Sequence, residues 1–497
     1  MELNRCVARL VAYAKEKLGL GELDAIYCAN LLFKEWGIAS PCEGDASLGE
    51  IEGMERPDAL WEELVLALKE KGMEAGEAER EAAFAFGLLS PSPSETSRRF
   101  ESLYREESPS AATDFLYSLG VRNGYIALSK IEKNIVFPAV FPSSPSLEIT
   151  INLSKPEKSN KDIAKLLTKK ENRDYPKCFL CKENLGYEGT ASHPARENLR
   201  FIPLDLDGER WYLQYSPYGY FDEHCIVFSE RHSQMSVSKR IFSKLFAFVE
   251  QFPHYFLGCN SDLPIVGGSI LDHEHFQGGK HMLPLLHAGV KKIVPTPNFP
   301  ETELSVLDFY VTSLRLSGRS KEEILSLAES ILSAWRGYDD PANQIIHKDE
   351  AGQHSTITSL AKKDGDVYSL FLILRNNRTD ENFPDGIFHA HPEYFHVKKE
   401  GIGLIEAAGR FILPPRLIRQ SQLIRDGLEL GLSDEEIVER NPELSGFERM
   451  MDALRGGVSL QTYLGEVCRG ILHNVAVYKD TPEGEKGLEE FLHSLSL

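Results

Sequence analysis

One stretch narrows the folds open to this chain more than any other: Gly267-Gly268-Ser269-Ile270-Leu271-Asp272-His273-Glu274-His275-Phe276-Gln277-Gly278-Gly279. Glycine pairs bracket it and its interior alternates, a pattern that predicts a β-strand. In a strand alternate side chains share a face, so His273, His275 and Gln277 point one way and Glu274 and Phe276 the other. Two imidazoles and a carboxamide in a row make poor core material, because each carries polar atoms that need partners when buried. The row suits a metal ligand, a nucleophile and a donor to a developing oxyanion. An exposed polar strand face is the plain alternative.

That strand must sit in something large. The chain has 497 residues, too many for one compact core, and two to four structural units are expected. With 42% hydrophobic and 26% charged residues the composition is that of a globular protein. A net charge of -20 argues against a nucleic-acid or anionic-membrane partner, so an anionic ligand must be held by local basic residues and backbone amides. No apolar run approaches the ~18–20 residues of a membrane span. The start, Met1-Glu2-Leu3-Asn4-Arg5-Cys6, lacks the charged-then-apolar pattern of a secretion signal. The eight cysteines are sparse and irregularly spaced, which suits a reducing cytoplasm better than a disulfide framework.

Residues 1 to about 105 read as helical. Asp58 to Leu89 has helix-like spacing, Pro91-Ser92-Pro93 breaks it, and a second piece covers Ser97 to Tyr104. Leu147 to Leu153 alternates as a half-buried strand. Lys155 to Lys170 is lysine-rich and predicts a short surface helix. A β-rich region follows, with strands over Leu199–Leu204, Arg210–Gln214 and His224–Phe228, and Asp207-Gly208 turning between the first two. Ser236 to Phe252 predicts an amphipathic helix leading into the histidine stretch. Beyond Pro300, Ser320 and Glu323 mark a capping box. Ser355–Ala361 and Val367–Leu374 form a second β pair turning at Asp364-Gly365. Phe388-His389-Ala390-His391 then repeats the His-x-His spacing and suggests an internal pseudo-repeat. The chain from Pro415 is helical, with a capping box at Ser433 and Glu436.

Three constellations carry chemistry. Cys178-Phe179-Leu180-Cys181 puts two thiolates on one tight turn, which is zinc geometry, and His232 and His273 are the best candidates for the remaining two ligands. A set drawn from segments this far apart pins them together, a structural role; two unrelated thiols is the plain alternative. A thioredoxin-like redox role fits less well, because the pair precedes strands and not a helix. Second, a neutral imidazole attacks phosphorus readily and the N–P bond formed is labile, so a histidine can carry a nucleotidyl group between two acceptors. Gln277 on the same face is placed to donate to phosphoryl oxygens, and Gly267-Gly268-Ser269 lets backbone amides approach a phosphate. Third, His389 and His391, with His396 nearby, offer a second metal site, a phosphate contact or two strand histidines.

Taken together, Cys178, Cys181, His232 and His273-Glu274-His275-Phe276-Gln277 resemble the galactose-1-phosphate uridylyltransferases, a family of the histidine-triad superfamily with glutamine in place of the last histidine. Longer strings are similar to its second, mainly bacterial class: Cys178 to Tyr187, His193-Pro194-Ala195-Arg196-Glu197-Asn198-Leu199-Arg200, Gln214-Tyr215-Ser216-Pro217-Tyr218, Glu223-His224-Cys225 and Leu374-Arg375-Asn376-Asn377-Arg378-Thr379. The likeness runs from about residue 115 to 430. It implies an α+β fold of two histidine-triad-like antiparallel β halves, residues 111–295 and 296–420, between helical regions 1–110 and 421–497. It also implies a ping-pong uridylyl transfer between UDP-glucose and galactose 1-phosphate, with His275 as carrier and Gln277 on the phosphate. By the same likeness Cys178, Cys181, His232 and His273 hold a structural zinc, and Asn260, Gly268 and Ser269 contact nucleotide and phosphate. Glu406 matches, with a slipped alignment, the carboxylate on the hexose hydroxyls. The family implies a homodimer.

The chain departs from the better-known class of the family. That class has Pro and Gly where Glu274 and Phe276 stand here. Of the ligands of its second metal, only His389 and His391 have counterparts. Glu274 faces away by strand parity and is not a general base. The competing readings are another histidine-triad nucleotidyltransferase, phosphorylase or hydrolase, which would usually keep a histidine at 277, and a zinc-stabilised binding module without catalysis.

Overall fold

Helix-forming sequence with apolar residues every three or four positions begins the chain, and in the computed structural model it folds into helices Leu3–Tyr13, Glu22–Glu35, Asp58–Glu70, Ala75–Leu89, Pro93–Glu106 and Pro109–Arg122. Residues 2–42, 48–142, 144–154, 175–190, 192–268 and 270–495 are described; the lysine-rich stretch from Lys155 to Lys170 lies outside them. The helical pattern expected to run unbroken from Asp58 to Leu89 is two helices. Gly72, at φ 98, turns the chain between them in a conformation that side-chain-bearing residues rarely adopt. Val7, Leu32, Leu64, Leu68, Ala82 and Phe86 bury their side chains in the core between these helices. Ser92 and Ser108 each cap the helix that follows, accepting from Glu95 N at 3.2 Å and Ala111 N at 3.0 Å, with proline at the first helical position.

The chain divides into two compact units. The first comprises Met1–Lys133, Lys158–Gly219 and Glu223–His232. Besides the helices it contains an antiparallel meander of Ile202–Leu206, Glu209–Tyr215 and Cys225–Ser229. Asp207 and Gly208, at φ 54 and 74, make the two-residue turn the sequence predicts, both in the left-handed region that a twisted hairpin demands. Arg200 ties the approach to this meander to the helices. Its guanidinium is nearly fully buried and faces no carboxylate; it donates to the carbonyls of Pro91 (2.7 Å), Gly87 (2.7 Å), Leu199 (2.8 Å) and Glu197 (3.0 Å).

The second unit comprises Asn134–Glu157, Tyr220–Asp222 and Ser233–Leu497. Its main sheet places antiparallel neighbours in the order His275–Gly279, Phe256–Cys259, Ser355–Asp364, Val367–Asn376, Ser313–Gly318, Thr302–Asp308 and Gly289–Val294. Helices Lys239–Gln251 and Lys321–Trp335 pack on this sheet. A smaller sheet pairs Ser144–Ile151 antiparallel with Ile135–Phe141 and parallel with Arg410–Leu413. Helices from Arg416–Glu429 to Pro482–Ser494 complete the unit. Asp364 pairs with Val367, so the hairpin turns on Gly365 and Asp366, one residue later than expected. The Ser433 and Glu436 capping box is complete, whereas at Ser320 only half forms. There Glu323 turns instead to Glu301 N at 2.9 Å. The α+β class is as the sequence reading has it.

Two local expectations change. The strand expected from Gly267 to Gly279 begins only at His275. Gly267 forms an isolated parallel bridge with Ser261, and a Cβ there would lie 2.7 Å from both the Ser261 and Leu263 carbonyl oxygens. The glycine thus permits a close backbone approach and does not begin a strand. Farther along, His389-Ala390-His391 lies in irregular chain, not in a strand. The two His-x-His sequences therefore stand in unlike local structures and do not mark a repeat.

Candidate active site and metal centre

Strand geometry places His275 and Gln277 on one face of His275–Gly279, and Gln277 pairs in register with Gly258 of the neighbouring strand. His275 is buried, and burial is the main cause that holds its imidazole below the ordinary histidine range, so the ring is neutral near pH 7. Its Nδ1 lies 2.8 Å from the His273 carbonyl oxygen. A carbonyl only accepts, so Nδ1 carries the proton and the lone pair resides on Nε2. A neutral imidazole with a defined lone pair is a nucleophile ready for use. His273 lies just before the strand, so its direction is not set by strand alternation; it is buried all the same.

The other residues that the resemblance singles out also lie in the second unit, and several meet. Asn260 follows the Phe256–Cys259 strand and is buried; its Oδ1 accepts from Leu404 N at 2.8 Å. Its Nδ2 lies 2.9 Å from where a Cβ on Gly268 would sit, so only glycine leaves that amide uncrowded. A Cβ on Gly403 would lie 3.1 Å from Asn260 Oδ1 and 3.7 Å from Glu406 Oε2. Asn260, Gly268 and Glu406 thus border one another. Ser269 lies outside the described residues. Glu406, on the short Leu404–Ala407 helix, is paired with Lys398 at 3.1 Å, both side chains mostly buried. Asp262 fixes the loop that carries Asn260, accepting from Val237 N (2.9 Å), Arg336 Nη2 (2.9 Å) and Thr356 Oγ1 (2.6 Å).

Among the described residues, Cys178, Cys181, His232 and His273 make up the group of cysteine and histidine side chains able to hold a metal ion. The first three belong to the first unit. Cys178 Sγ and Cys181 Sγ are 3.6 Å apart, and Cys181 Sγ is 3.2 Å from His232 Nδ1. Zinc bound tetrahedrally through sulfur at ~2.3 Å and nitrogen at ~2.0 Å separates its ligand atoms by about 3.5–3.8 Å, so the corner is close to the required shape. Asn184 braces the turn, donating to the carbonyls of Cys178 (2.9 Å) and Cys181 (2.7 Å), and Leu180 N approaches Cys178 Sγ at 3.4 Å. Burial, with the neighbouring Cys181, pushes the Cys178 thiol up to about 12, so without a cation the pair stays protonated. The donor set and its spacing fit a metal ion.

The third constellation separates from the rest. His389 is buried with Nδ1 donating to the Ala390 carbonyl at 3.1 Å. His391 donates from Nε2 to the Ile387 carbonyl at 3.0 Å and stacks on Phe383 with ring centroids 4.1 Å apart. The group able to hold a metal among the described residues does not include them.

A family description, galactose-1-phosphate uridyl transferase, N-terminal domain, matches residues 60–234. The galactose-1-phosphate uridylyltransferase of Halalkalibacterium halodurans is 41% identical to this chain over 420 residues, covering 82% of each. The galactose-1-phosphate uridylyltransferase 2 of Streptococcus pneumoniae serotype 4 is 37% identical, covering 99% of each. The galactose-1-phosphate uridylyltransferase of Bacillus subtilis (strain 168) is also 37% identical, covering 100% of this chain and 98% of its own. The chain belongs to the galactose-1-phosphate uridylyltransferase family.

In this galactose-1-phosphate uridylyltransferase family member, sequence reasoning missed charged residues buried around the site. Arg375 is fully buried, its guanidinium lowered to about 10 by burial, and it donates to the Ile402 carbonyl at 2.7 Å beside the Gly403–Glu406 turn. Lys398 was passed over, although the Lys398-Lys399 pair ahead of Glu406 is a visible cue. Arg240, on the Lys239–Gln251 helix, reaches Glu274, and nothing in the helix pattern singles it out. No helix among the described residues is long and apolar enough to cross a membrane.

Proposed function

We propose that this protein is a nucleotidyltransferase that moves a uridylyl group between UDP-glucose and galactose 1-phosphate in galactose catabolism, by double displacement at His275. The Nε2 lone pair attacks the α-phosphorus of UDP-glucose. The bond from that phosphorus to the bridging oxygen breaks, and glucose 1-phosphate leaves with the electron pair. A phosphate oxygen of galactose 1-phosphate then attacks the same phosphorus, the N–P bond breaks, the pair returns to Nε2, and UDP-galactose leaves. Gln277 donates to the phosphoryl oxygens as charge builds on them. Asn260, Gly268 and Ser269 hold the nucleotide and its phosphates, and Glu406 accepts from hexose hydroxyls. On this reading residues 111–295 and 296–420 are the two transferase halves, and 1–110 and 421–497 the helical additions. The observation that carries it is the buried His275 with Nδ1 committed to the His273 carbonyl and Nε2 on the face it shares with Gln277.

The test is to mix the enzyme with UDP-glucose labelled in the uridine, without acceptor, and isolate the protein. About one acid-labile label per active site, discharged by galactose 1-phosphate and absent from His275→Gly, is expected. Turnover without any labelled protein would replace double displacement by direct transfer.

The metal at Cys178, Cys181 and His232 is zinc, with His273 as fourth ligand and a structural role. Support for His273 comes from the backbone. Ser233, next to His232, accepts through its carbonyl from Glu274 N at 2.7 Å, so the two histidines are each one residue from the same hydrogen bond. Zinc supplies a fixed corner and takes no part in the transfer. Cys178→Ser is expected to lose the metal by elemental analysis and much of the soluble yield; unchanged zinc content would remove Cys178 from the set. We further place the enzyme in the cytoplasm as a homodimer. All eight cysteines are free, in keeping with a reducing compartment, and mass photometry checks the dimer.

A further inference from the structure

We infer that the Arg240–Glu274 ion pair is a positioning device for the nucleophile, locking the peptide plane whose carbonyl sets the tautomer of His275. The inference rests on His275 being the uridylyl carrier. Glu274 stands between His273 and His275, and by strand alternation its side chain leaves on the face opposite His275, so it does not reach the same ligand. Its carboxylate, only 6% exposed, is held by Arg240 from the Lys239–Gln251 helix: Nη1 lies 3.0 Å from Oε1 and 3.2 Å from Oε2, and Nη2 lies 3.2 Å from Oε2. A mostly buried carboxylate gripped by a guanidinium fork fixes direction as well as charge.

What it fixes is one planar unit. The peptide joining His273 to Glu274 carries the carbonyl that accepts from His275 Nδ1 at 2.8 Å, and it carries the N–H that donates to Ser233 O at 2.7 Å. In a trans peptide these two bonds point in opposite directions, so a rotation of the plane weakens both together. Flanking bonds brace the same segment: Met235 N donates to Leu271 O at 2.8 Å, and His275 N approaches Met235 Sδ at 3.4 Å. None of them grips the side chain that follows the peptide; Arg240 does. With the plane held, Nδ1 keeps its proton and Nε2 keeps its lone pair. With the plane free, the other tautomer, which carries the proton on the attacking nitrogen, becomes accessible.

The test compares wild type, Glu274→Ala, Glu274→Gln and Arg240→Lys in the full-length, metal-loaded protein. We expect Glu274→Ala to lower kcat and the rate of uridylyl-enzyme formation together, by roughly 10- to 100-fold, with KM for UDP-glucose within about twofold and zinc content unchanged. Glu274→Gln, which keeps shape and one acceptor, recovers part of the loss. Nitrogen-15 spectra of labelled histidine are expected to show one Nδ1–H tautomer at His275 in wild type and a mixture in Glu274→Ala. Wild-type labelling rates and tautomer in Glu274→Ala would overturn the inference, as would a loss confined to melting temperature or zinc. If Glu274→Ala does not fold, Arg240→Lys decides: an unchanged rate of uridylyl-enzyme formation overturns the inference, and a reduced rate at unchanged KM supports it. A wild-type enzyme that turns over without taking label removes the carrier role of His275 itself, an outcome distinct from equal labelling across the variants.

Discussion

Between His273 and His275 stands a buried anion held by Arg240; between His389 and His391 stands a methyl group. The first pair enters a strand, and His275 carries its alternation on to Gln277. The second pair lies in irregular chain, where each ring spends a nitrogen on a nearby carbonyl and His391 stacks on Phe383. Both His275 and His389 are buried, held below the ordinary histidine range chiefly by burial, and protonated at Nδ1. Spacing, burial and tautomer are therefore shared, and none of them distinguishes a nucleophile from a structural histidine. What differs is the neighbour two residues on, a glutamine on the same strand face in one case and a proline-led turn in the other.

The sharpest way to break this contrast is to delete each ring. His275→Gly is expected to lower turnover at least ~10⁴-fold while melting temperature and zinc stay near wild type. His389→Ala is expected to leave turnover within about tenfold and to lower stability instead. Equal loss of turnover in both would mean that the second pair also serves the chemistry.

Next in size is the seat of His389. Gly386 sits at φ 123, and a Cβ there would lie 2.9 Å from His389 Cβ and 3.0 Å from Ile265 Cγ2. Gly386→Ala is expected to cost about 2–3 kcal/mol in urea unfolding; a cost near zero would show that the second pair is loosely held. His391→Phe keeps the stack on Phe383 and loses the bond to the Ile387 carbonyl, an expected cost of about 1 kcal/mol by the same assay. A gain in stability would mean that the hydrogen bond contributes nothing.

The smallest effect is on pH dependence. The folded value of His389 lies below its unfolded value of about 6.5, so its contribution to stability is complete above that pH and is lost as pH falls through the lowered folded value. His389→Gln is expected to close its melting-temperature gap to wild type, or overtake it, between pH 7.5 and pH 5. Parallel melting curves would show that His389 does not titrate with unfolding.

Local chemistry was the part of this molecule legible in the sequence. Asp207-Gly208 names its turn because only the left-handed region fits a two-residue hairpin. Cys178-x-x-Cys181 names a metal corner because two thiolates so close need a cation. Family strings such as Glu223-His224-Cys225 then added what spacing leaves open. The misses share one cause, long-range partners. Gly267 looked like the edge of a strand, but its hydrogen lets the chain approach the Ser261 and Leu263 carbonyls. Arg375, Lys398 and Arg240 read as ordinary surface charges until the fold supplied Ile402, Glu406 and Glu274. Glu274 was set aside on strand parity as unable to act on substrate; the same parity leaves it free to meet Arg240.

Arg200 has a consequence of its own. Surface pairs such as Arg56–Glu132 weaken as salinity rises, because dissolved ions compete for both partners. The Arg200 guanidinium has four carbonyl oxygens as partners and no carboxylate, so brine finds no counter-charge to displace. This joint within the first unit depends on the planar fork itself, whose donors diverge toward four acceptors at once. A lysine ammonium has three donors on a single atom and cannot span them, so the position tolerates a change of ionic strength far better than a change of residue.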